Sequence, residues 1–213
     1  SLAIRIHVKM WIKYPRTYHL PWSPGATNDD KILSDLTPLE DSGEVVVTEK
    51  MDGENTSLYS DGIHARSLNY RPHESRTKIK AFHSSIQGNI PSGWRVCGEN
   101  LTAVHSIEYT ELPHIFLAFS VWDETNTCLS WSDTLDYLSM MDISPVPVLY
   151  QGPFSKDMLD QIDISGKEGY VVRPTSSFSF DQFSSLVAKY VRKNHVQTST
   201  HWMHEKVRFN GVK

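Results

Sequence analysis

The chain has 213 residues, of which 39% are apolar and 22% are charged, and its formal net charge is −4. This amount of apolar and aromatic material supports a hydrophobic core and excludes a disordered chain. The negative net charge excludes a protein that attracts nucleic acid over its whole surface, so any such binding requires a local basic face.

Strands and loops dominate the predicted first half of the chain. Apolar alternation favours a strand over 4–11, and repeated prolines make 14–25 an extended loop. The Thr-Asn-Asp-Asp sequence at 27–30 is typical of a helix cap and predicts a helix over 31–36. Three consecutive antiparallel strands are predicted next, the last two joined by an Asp61-Gly62 turn: 44–50, 56–59 and 63–67.

Helices and apolar strands alternate irregularly in the second half. Apolar periodicity predicts an amphipathic helix over 72–86, and serine caps predict helices over 132–141 and 155–162. Further strands are predicted over 94–97, 115–122, 169–173 and 186–191. The pattern indicates an α+β fold dominated by antiparallel sheet, without the alternation of a doubly wound fold.

Cysteine content and hydropathy limit the cellular compartments in which the protein is expected. Cys97 and Cys128 provide neither a disulfide framework nor a zinc set, so both are predicted to be reduced and buried. No apolar run approaches the roughly 18 residues of a membrane span, and no signal-peptide pattern is visible. We therefore expect no membrane partner and a cytoplasmic location.

The most informative stretch is Lys50-Met51-Asp52-Gly53, which places a lysine at the end of a predicted strand and before a tight turn. A protonated lysine, with an ordinary pKa of about 10.4, is a poor nucleophile. A partly desolvated pocket, or one crowded with cations and a metal, lowers that pKa and makes the amine reactive. The same four residues also occur by chance in surface turns, so a solvated lysine is the alternative.

Charged residues recur downstream at the ends of predicted strands. In chain order they are Arg66, Glu99 within Cys97-Gly98-Glu99-Asn100-Leu101, Glu168 before Gly169, and Lys189 followed by Arg192 and Lys193. Together with Lys50 in its turn, these residues resemble the ordered motifs of the covalent nucleotidyltransferase superfamily. The resemblance is greatest to the ATP-dependent RNA ligase family and covers about residues 10–195.

The resemblance implies a single nucleotidyltransferase (adenylation) domain over 1–213, an ATP-grasp-like ligase architecture of twisted antiparallel sheets flanked by helices. Residues 195–213 are expected to form a short C-terminal extension. That extension is too short for the OB-fold domain that many ligases and capping enzymes append, which argues against capping.

The implied reaction has three steps. Lys50 would attack the α-phosphate of ATP to give lysyl-AMP and pyrophosphate, the AMP would pass to a 5′-phosphate end, and a 3′-hydroxyl would displace it. The implied cofactors are ATP and Mg²⁺ or Mn²⁺. The implied partner is nucleic acid with 5′-phosphate and 3′-hydroxyl ends, RNA rather than DNA. We expect a monomer, with an end-processing partner protein as a further expectation.

The resemblance also implies roles for individual residues around the phosphates and the metal. The catalytic set is Lys50, Glu99, Glu168 and Lys189. Lys189 would hold the α-phosphate, and Arg66 would meet a phosphate or the ribose. Glu99 would accept a ribose hydroxyl, and Glu99 and Glu168 would hold a hydrated metal through water.

Three further residues are expected at the nucleotide. Phe119 would stack on the adenine ring, with core packing as the alternative. Glu49 would read the adenine amino group or form a salt bridge, and Asn55 is a nucleotide contact.

Two positions depart from the family pattern. Ser120 stands where related enzymes often carry an acid, and Asp123 is the candidate substitute. Arg192 and Lys193 compete for the second cation of the last motif, and Arg192 would face away from Lys189 on an ideal strand.

Other polar residues leave two interpretations open. Arg16 or His19 would contact the leaving pyrophosphate; alternatively, the segment 14–20 that contains them forms a structural lid. His201 and His204 favour a terminal helix with exposed histidines over a metal site. A basic stretch is either a solvated helix face or a phosphate-tracking surface: Arg71, Arg76, Lys78 and Lys80.

Three rival functions are open at this point. A DNA ligase and a guanylyltransferase share the superfamily motifs. A non-catalytic nucleotide- or RNA-binding module is the rival of another class, although binding alone would not require Lys50.

Overall fold

A computed structural model describes residues 11–195 and 206–213. The strands in chain order are β1 (Tyr18–His19), β2 (Glu44–Lys50), β3 (Glu54–Tyr59), β4 (Gly62–Ala65), β5 (Arg95–Asn100), β6 (Phe116–Trp122), β7 (Thr127–Cys128), β8 (Val148–Pro153), β9 (Gly169–Pro174), β10 (Phe178–Ser179) and β11 (Ala188–Val191). They form a five-stranded sheet of order β1-β11-β9-β2-β8 and a six-stranded sheet of order β10-β7-β6-β5-β3-β4. The α+β class dominated by antiparallel sheet is confirmed.

The helices are short and lie at the margins of the sheets. They are α1 (Thr37–Asp41), α2 (Thr77–Ile86), α3 (Trp131–Met140), α4 (Lys156–Asp160) and α5 (Phe183–Leu186), with 3₁₀ turns at Glu74–Arg76, Gln87–Asn89 and Phe180–Gln182. Serine caps begin two of them, since Ser130 Oγ accepts from Asp133 N and Ser155 Oγ accepts from Met158 N. The first of these caps lies two residues before the predicted helix start. None of the described helices is long and apolar enough to cross a bilayer.

The five-stranded sheet is built around β2. Its Val45, Val46 and Val47 are fully buried, which is typical of a strand covered on both faces. β2 pairs antiparallel with β8 on one side and β9 on the other, and β9 pairs with β11. β1 adds to β11 in parallel, with His19 opposite Lys189.

The prediction that β2, β3 and β4 are consecutive antiparallel strands is wrong for the first pair. β3 lies in the other sheet, between β4 and β5. The turn at Asp52-Gly53 carries the chain from one sheet to the other. Glycine is needed at Gly53, because a side chain there would collide with the Asn100 carbonyl oxygen and Leu101. The β3–β4 hairpin itself is confirmed, with Tyr59 opposite Gly62.

The predicted helix over 31–36 is wrong. The backbone there is extended, because His19 N donates to Lys31 O and Leu33 N donates to His19 O. Asp30 Oδ2 accepts from Thr27 N and so closes a local turn instead of capping a helix. The helix begins later, at Thr37, with a proline at its start. The predicted strand over 4–11 and the helix around His201 and His204 lie outside the described residues, apart from Trp11.

Candidate active site

A cleft of about 820 Å³ opens where the two sheets meet. Seven of the sequence-predicted site residues line it: Glu49, Lys50, Asn55, Arg66, Glu99, Phe119 and Lys189. Glu168 lies behind the cleft wall, with 3% of its surface exposed, and contacts Lys50 directly. Arg192 and Lys193 are not among the residues that line the cleft.

Lys50 and Glu168 form the central ion pair of the site. Lys50 lies at the end of β2 opposite Gly169, and its Nζ donates to Glu168 Oε1 at 2.7 Å. Burial by itself lowers the pKa of Lys50, but the Glu168 and Glu99 carboxylates outweigh it and raise that pKa. In the nucleotide-free protein the pKa of Lys50 is therefore raised and not lowered as expected from the sequence, because the Glu168 and Glu99 carboxylates stabilise its ammonium form.

Glu99 faces the same amine from the other sheet. It lies on β5 opposite Asn55, and its Oε1 accepts from Gly53 N at 3.1 Å. Burial raises the pKa of Glu99 to about 8. The positive charge of Lys50 acts against this shift, and the negative charge of Glu168 adds to it. Burial and the neighbouring Glu168 carboxylate therefore favour the protonated form of Glu99 in the nucleotide-free protein.

This shift predicts a pH dependence of stability that belongs to Glu99. Between its ordinary pKa and about 8, the folded state binds a proton that the unfolded state has released, so the stability contribution falls as pH rises. The free energy of unfolding of the wild type, minus that of Glu99→Gln, should fall between about pH 5 and pH 8. The slope should approach about 1.4 kcal/mol per pH unit. Urea titrations in chelator without nucleotide measure it, and a difference independent of pH would contradict the assignment.

Lys189 supplies a second cation to the cleft, from the same sheet as Lys50. It lies on β11 between Val171 of β9 and His19 of β1. Burial, followed by repulsion from Lys50, lowers its pKa to about 8. Two lysines that repel one another in one cleft are stabilised by an anion near both, so the pair fits a phosphate group.

The turn that follows Lys50 is held by the loop over 106–109. Asp52 Oδ2 accepts from Ser106 N at 2.8 Å and from Ile107 N at 2.7 Å. Asp52 N donates to the Tyr109 hydroxyl at 2.9 Å. The carboxylate in the motif therefore has a structural task, which is to fix the direction in which Lys50 leaves its strand.

That loop is in turn fastened by Asn210, from the described C-terminal segment 206–213. Asn210 Oδ1 accepts from Tyr109 N at 2.8 Å, and its Nδ2 donates to Leu101 O at 2.9 Å and Ala103 O at 3.0 Å. Because Asn210 is buried, with 9% exposure, each lost partner leaves a buried polar group unsatisfied.

We expect Asn210→Ala to lower the free energy of unfolding by about 2–4 kcal/mol, since three hydrogen bonds to the backbone are lost at once. Chemical denaturation measures the change. Lys213→Ala, an exposed position three residues later, is the matched control and should stay within about 0.5 kcal/mol. Equal stability of the two variants would show that Asn210 does not fasten the loop.

The far end of the cleft is aromatic. Phe119 on β6 meets the edge of Tyr14 with ring centroids 5.4 Å apart, and Tyr14 also meets Phe183. Burial raises the pKa of Glu49 nearby, and Asn55 Oδ1 is buried without a hydrogen-bond partner. A ring surface and an unsatisfied buried amide oxygen in the lining of one cleft fit a heterocyclic base.

Ser120 and Asp123, the residues of the first departure from the motif pattern, both have local partners. Ser120 Oγ accepts from Trp122 Nε1 at 3.1 Å, inside the wall of the cleft. Asp123 Oδ1 accepts from the backbone of Thr125 and Thr127 and does not line the cleft. Asp123 therefore does not take over the missing acid's place.

The segment before β2 contributes a positive edge. Arg16 lines the cleft with 45% of its side chain exposed, and its Nη2 donates to Asp29 O and lies 3.7 Å from Asp30. His19 is buried and bonded to Ser23 Oγ at 2.7 Å. His19 therefore supports the segment from inside, and Arg16 is the residue that faces the cleft.

The predicted basic stretch does not form one surface. Arg76 is buried and forms a bidentate pair with Glu54 at 2.9 and 2.7 Å. Lys78 lies over the Phe209 ring, and Lys80 lies over the Tyr70 ring. The interpretation of Arg76 as part of a solvated or phosphate-tracking face is wrong, because Glu54 holds it inside the protein.

Comparison with known proteins gives the class of this chain. A family model described as RNA ligase matches residues 43–191, well over half of the chain. No curated protein sequence matches. The chain therefore belongs to the RNA ligase family.

Solved structures share the fold. An archaeal ATP-dependent RNA ligase (form 2) matches with a TM-score of 0.57 and 19% identity, over 84% of this chain and 48% of that one. A putative ATP-dependent DNA ligase from Aquifex aeolicus matches with 0.54 and 17%, over 85% and 50%. A Naegleria gruberi RNA ligase mutant with ATP and Mn matches with 0.52 and 16%, over 79% and 56%. The chain thus has a ligase-type nucleotidyltransferase fold and spans about half the length of these ligases.

Proposed function

We propose that the protein is an ATP-dependent RNA ligase that joins 3′-hydroxyl and 5′-phosphate ends through a lysyl-AMP intermediate. One observation carries the proposal. The Lys50 amine lies in the inter-sheet cleft and is paired with Glu168, and a second lysine, Lys189, lines the same cleft from β11, two strands away in the same sheet. A lysine that only stabilised the fold would not require an open cleft with a second cation in its lining.

The chemistry is one displacement at phosphorus repeated three times. Neutral Lys50 Nζ attacks the α-phosphorus of ATP, the bond to the β-phosphate oxygen breaks, and pyrophosphate leaves. A 5′-phosphate oxygen then displaces Lys50 and takes the AMP. A 3′-hydroxyl finally attacks that 5′-phosphorus and releases AMP. Alignment and charge neutralisation supply the rate enhancement.

The side chains divide these tasks. Lys189 is suited to the α-phosphate, and Arg16 and Arg66 are suited to the outer phosphates or the ribose. Phe119 provides a stacking surface, and Glu49 and Asn55 offer polar atoms to the adenine. Glu168 receives the proton that Lys50 must lose, since the two atoms are already hydrogen-bonded.

A divalent metal fits the donor set. Asp52, Glu99 and Glu168 offer buried carboxylate oxygens, the ligands that Mg²⁺ and Mn²⁺ prefer, and three such groups beside one lysine are under-neutralised. We assign Glu99 and Glu168 to the metal through water. When bound, the metal would neutralise these carboxylates and remove the effect that raises the pKa of Lys50.

Nucleotide and substrate panels test the proposal. The protein is incubated with α-labelled ATP or GTP and Mg²⁺ or Mn²⁺, and then with nicked duplexes in which each strand is RNA or DNA. An RNA ligase takes AMP and seals nicks that have RNA ends. GTP labelling would favour a guanylyltransferase, DNA-only sealing a DNA ligase, and no labelling in any metal a non-catalytic module.

The oligomeric state and the required end chemistry are two further expectations. We expect a monomer, which light scattering measures. We also expect that the substrate is an end already carrying 5′-phosphate and 3′-hydroxyl groups, which the same substrate panel tests. Ends of any other chemistry would have to be converted by a partner protein, and they should not be sealed by this chain alone.

A further inference from the structure

The turn that follows β11 returns the chain to the catalytic ion pair. Asn194 has a φ of 62°, a left-handed conformation that asparagine tolerates better than most residues. Arg192 N donates to Glu168 O at 2.9 Å, which fastens the turn to Glu168 itself. The residue after Asn194, His195, is thereby directed inwards.

His195 lies between two acids of the site. Only 1% of its side chain is exposed, and its Nε2 lies 3.6 Å from Asp52 Oδ1 and 3.6 Å from Glu168 Oε1. One of these carboxylates fixes the turn after Lys50, and the other is paired with the Lys50 amine. His195 is therefore the side chain that spans the two groups on which the direction of Lys50 depends.

The opposite ring nitrogen fixes the tautomer. Arg192 Nη2 lies 3.3 Å from His195 Nδ1, and a guanidinium group has only donors, so Nδ1 must accept. The ring hydrogen is then on Nε2, pointing towards Asp52 and Glu168. Although Asp52, Glu168 and His195 are close enough to hold a metal ion, this tautomer leaves no lone pair on Nε2 for one.

We propose that His195 is a positioning residue whose Nε2–H dipole, 3.6 Å from the Asp52 and Glu168 carboxylates, keeps both in place around Lys50, with Arg192 fixing its ring. The inference rests on the proposed function for its effect on rate. It also gives Arg192, in the last motif, a role other than binding phosphate, which is to orient the His195 ring. His195 itself touches neither the nucleotide nor the reacting atoms.

Three variants test the rate effect. At saturating ATP, His195→Leu should slow Lys50 adenylylation by about 100-fold, the usual cost of a misplaced reacting group. The KM for ATP should change by less than about threefold, because the cleft residues are intact. His195→Gln should recover at least about tenfold of the loss, since its amide places an N–H near Nε2. His83→Leu removes another buried histidine, bonded to Tyr59 O and outside the cleft, and should keep the wild-type rate.

A second measurement is independent of activity. Two-dimensional ¹H–¹⁵N NMR of the nucleotide-free protein, assigned by the signal lost in His195→Leu, should show the Nε2–H tautomer of His195. Arg192→Met should weaken that preference. An Nδ1–H tautomer, a wild-type rate in His195→Leu, or a glutamine variant no faster than leucine would each overturn the proposal. A wild-type protein that takes no AMP would overturn the proposed function instead, and the tautomer would still decide the geometry.

Discussion

Lys50→Ala is expected to abolish covalent labelling by α-labelled ATP, with a loss of at least about a thousandfold. The amine is the only group of Lys50 that can form a phosphoramidate, and its removal also leaves Glu168 buried without its 2.7 Å partner. Labelled protein, separated from free nucleotide on denaturing gels, measures the result.

Lys50→Arg is the matched control for folding. Arginine keeps the positive charge beside Glu168 but is not a usable nucleophile, because its pKa is above about 12. It should therefore restore much of the stability lost in the alanine variant and none of the labelling. Labelling of either variant at the wild-type level would exclude Lys50 as the site of AMP attachment.

Arg76→Met is expected to lower the free energy of unfolding by about 3–5 kcal/mol. Arg76 and Glu54 have 8% and 15% of their side chains exposed, so methionine leaves a buried carboxylate without its bidentate partner. The variant also removes the guanidinium group that lies 4.3 Å from the Tyr70 ring and donates to Arg71 O. Urea or thermal denaturation measures the loss.

The double variant Arg76→Met, Glu54→Leu separates the pair from the rest of the fold. If the cost comes from the unpaired carboxylate, the double variant should be more stable than Arg76→Met alone, because a buried ion pair replaced by apolar groups is often neutral. A single variant within about 1 kcal/mol of the wild type would show instead that the pair is solvated.

Local patterns predicted elements whose cause is local. The strand over 44–50 was predicted to its last residue, because Val45-Val46-Val47 is a buried run that ends at a polar turn. Its partners could not be predicted in this way. β2 pairs with β8 and β9, about a hundred residues later, and neighbouring β3 belongs to the other sheet. The helix expected over 31–36 failed for the same reason, since pairing with His19 overrides the local preference.

The structure brings several of the motif residues together. Lys50, Glu99 and Lys189 were identified by their order in the chain, and they line one cleft. Tyr109 and Asn210 act through hydrogen bonds to the turn at Asp52 and its loop, so no spacing rule identifies them. Sequence patterns singled out His19, His201 and His204, and none of them distinguished His195.

Arg76 shows the opposite failure. Its neighbours Lys78 and Lys80 led to the prediction of a basic face, but the ion pair with the Glu54 carboxylate keeps Arg76 inside the protein. Charge patterning identifies where charges are, and only tertiary pairing decides which of them meet solvent.

Peptide mass spectrometry of the wild-type protein, after incubation with ATP and Mg²⁺, tests the central claim most directly. We predict that one AMP is attached per chain, through an acid-labile bond to the lysine of the peptide that contains Lys50-Met51-Asp52-Gly53. AMP on Lys189 or on a surface lysine, or no mass change in either Mg²⁺ or Mn²⁺, would contradict it.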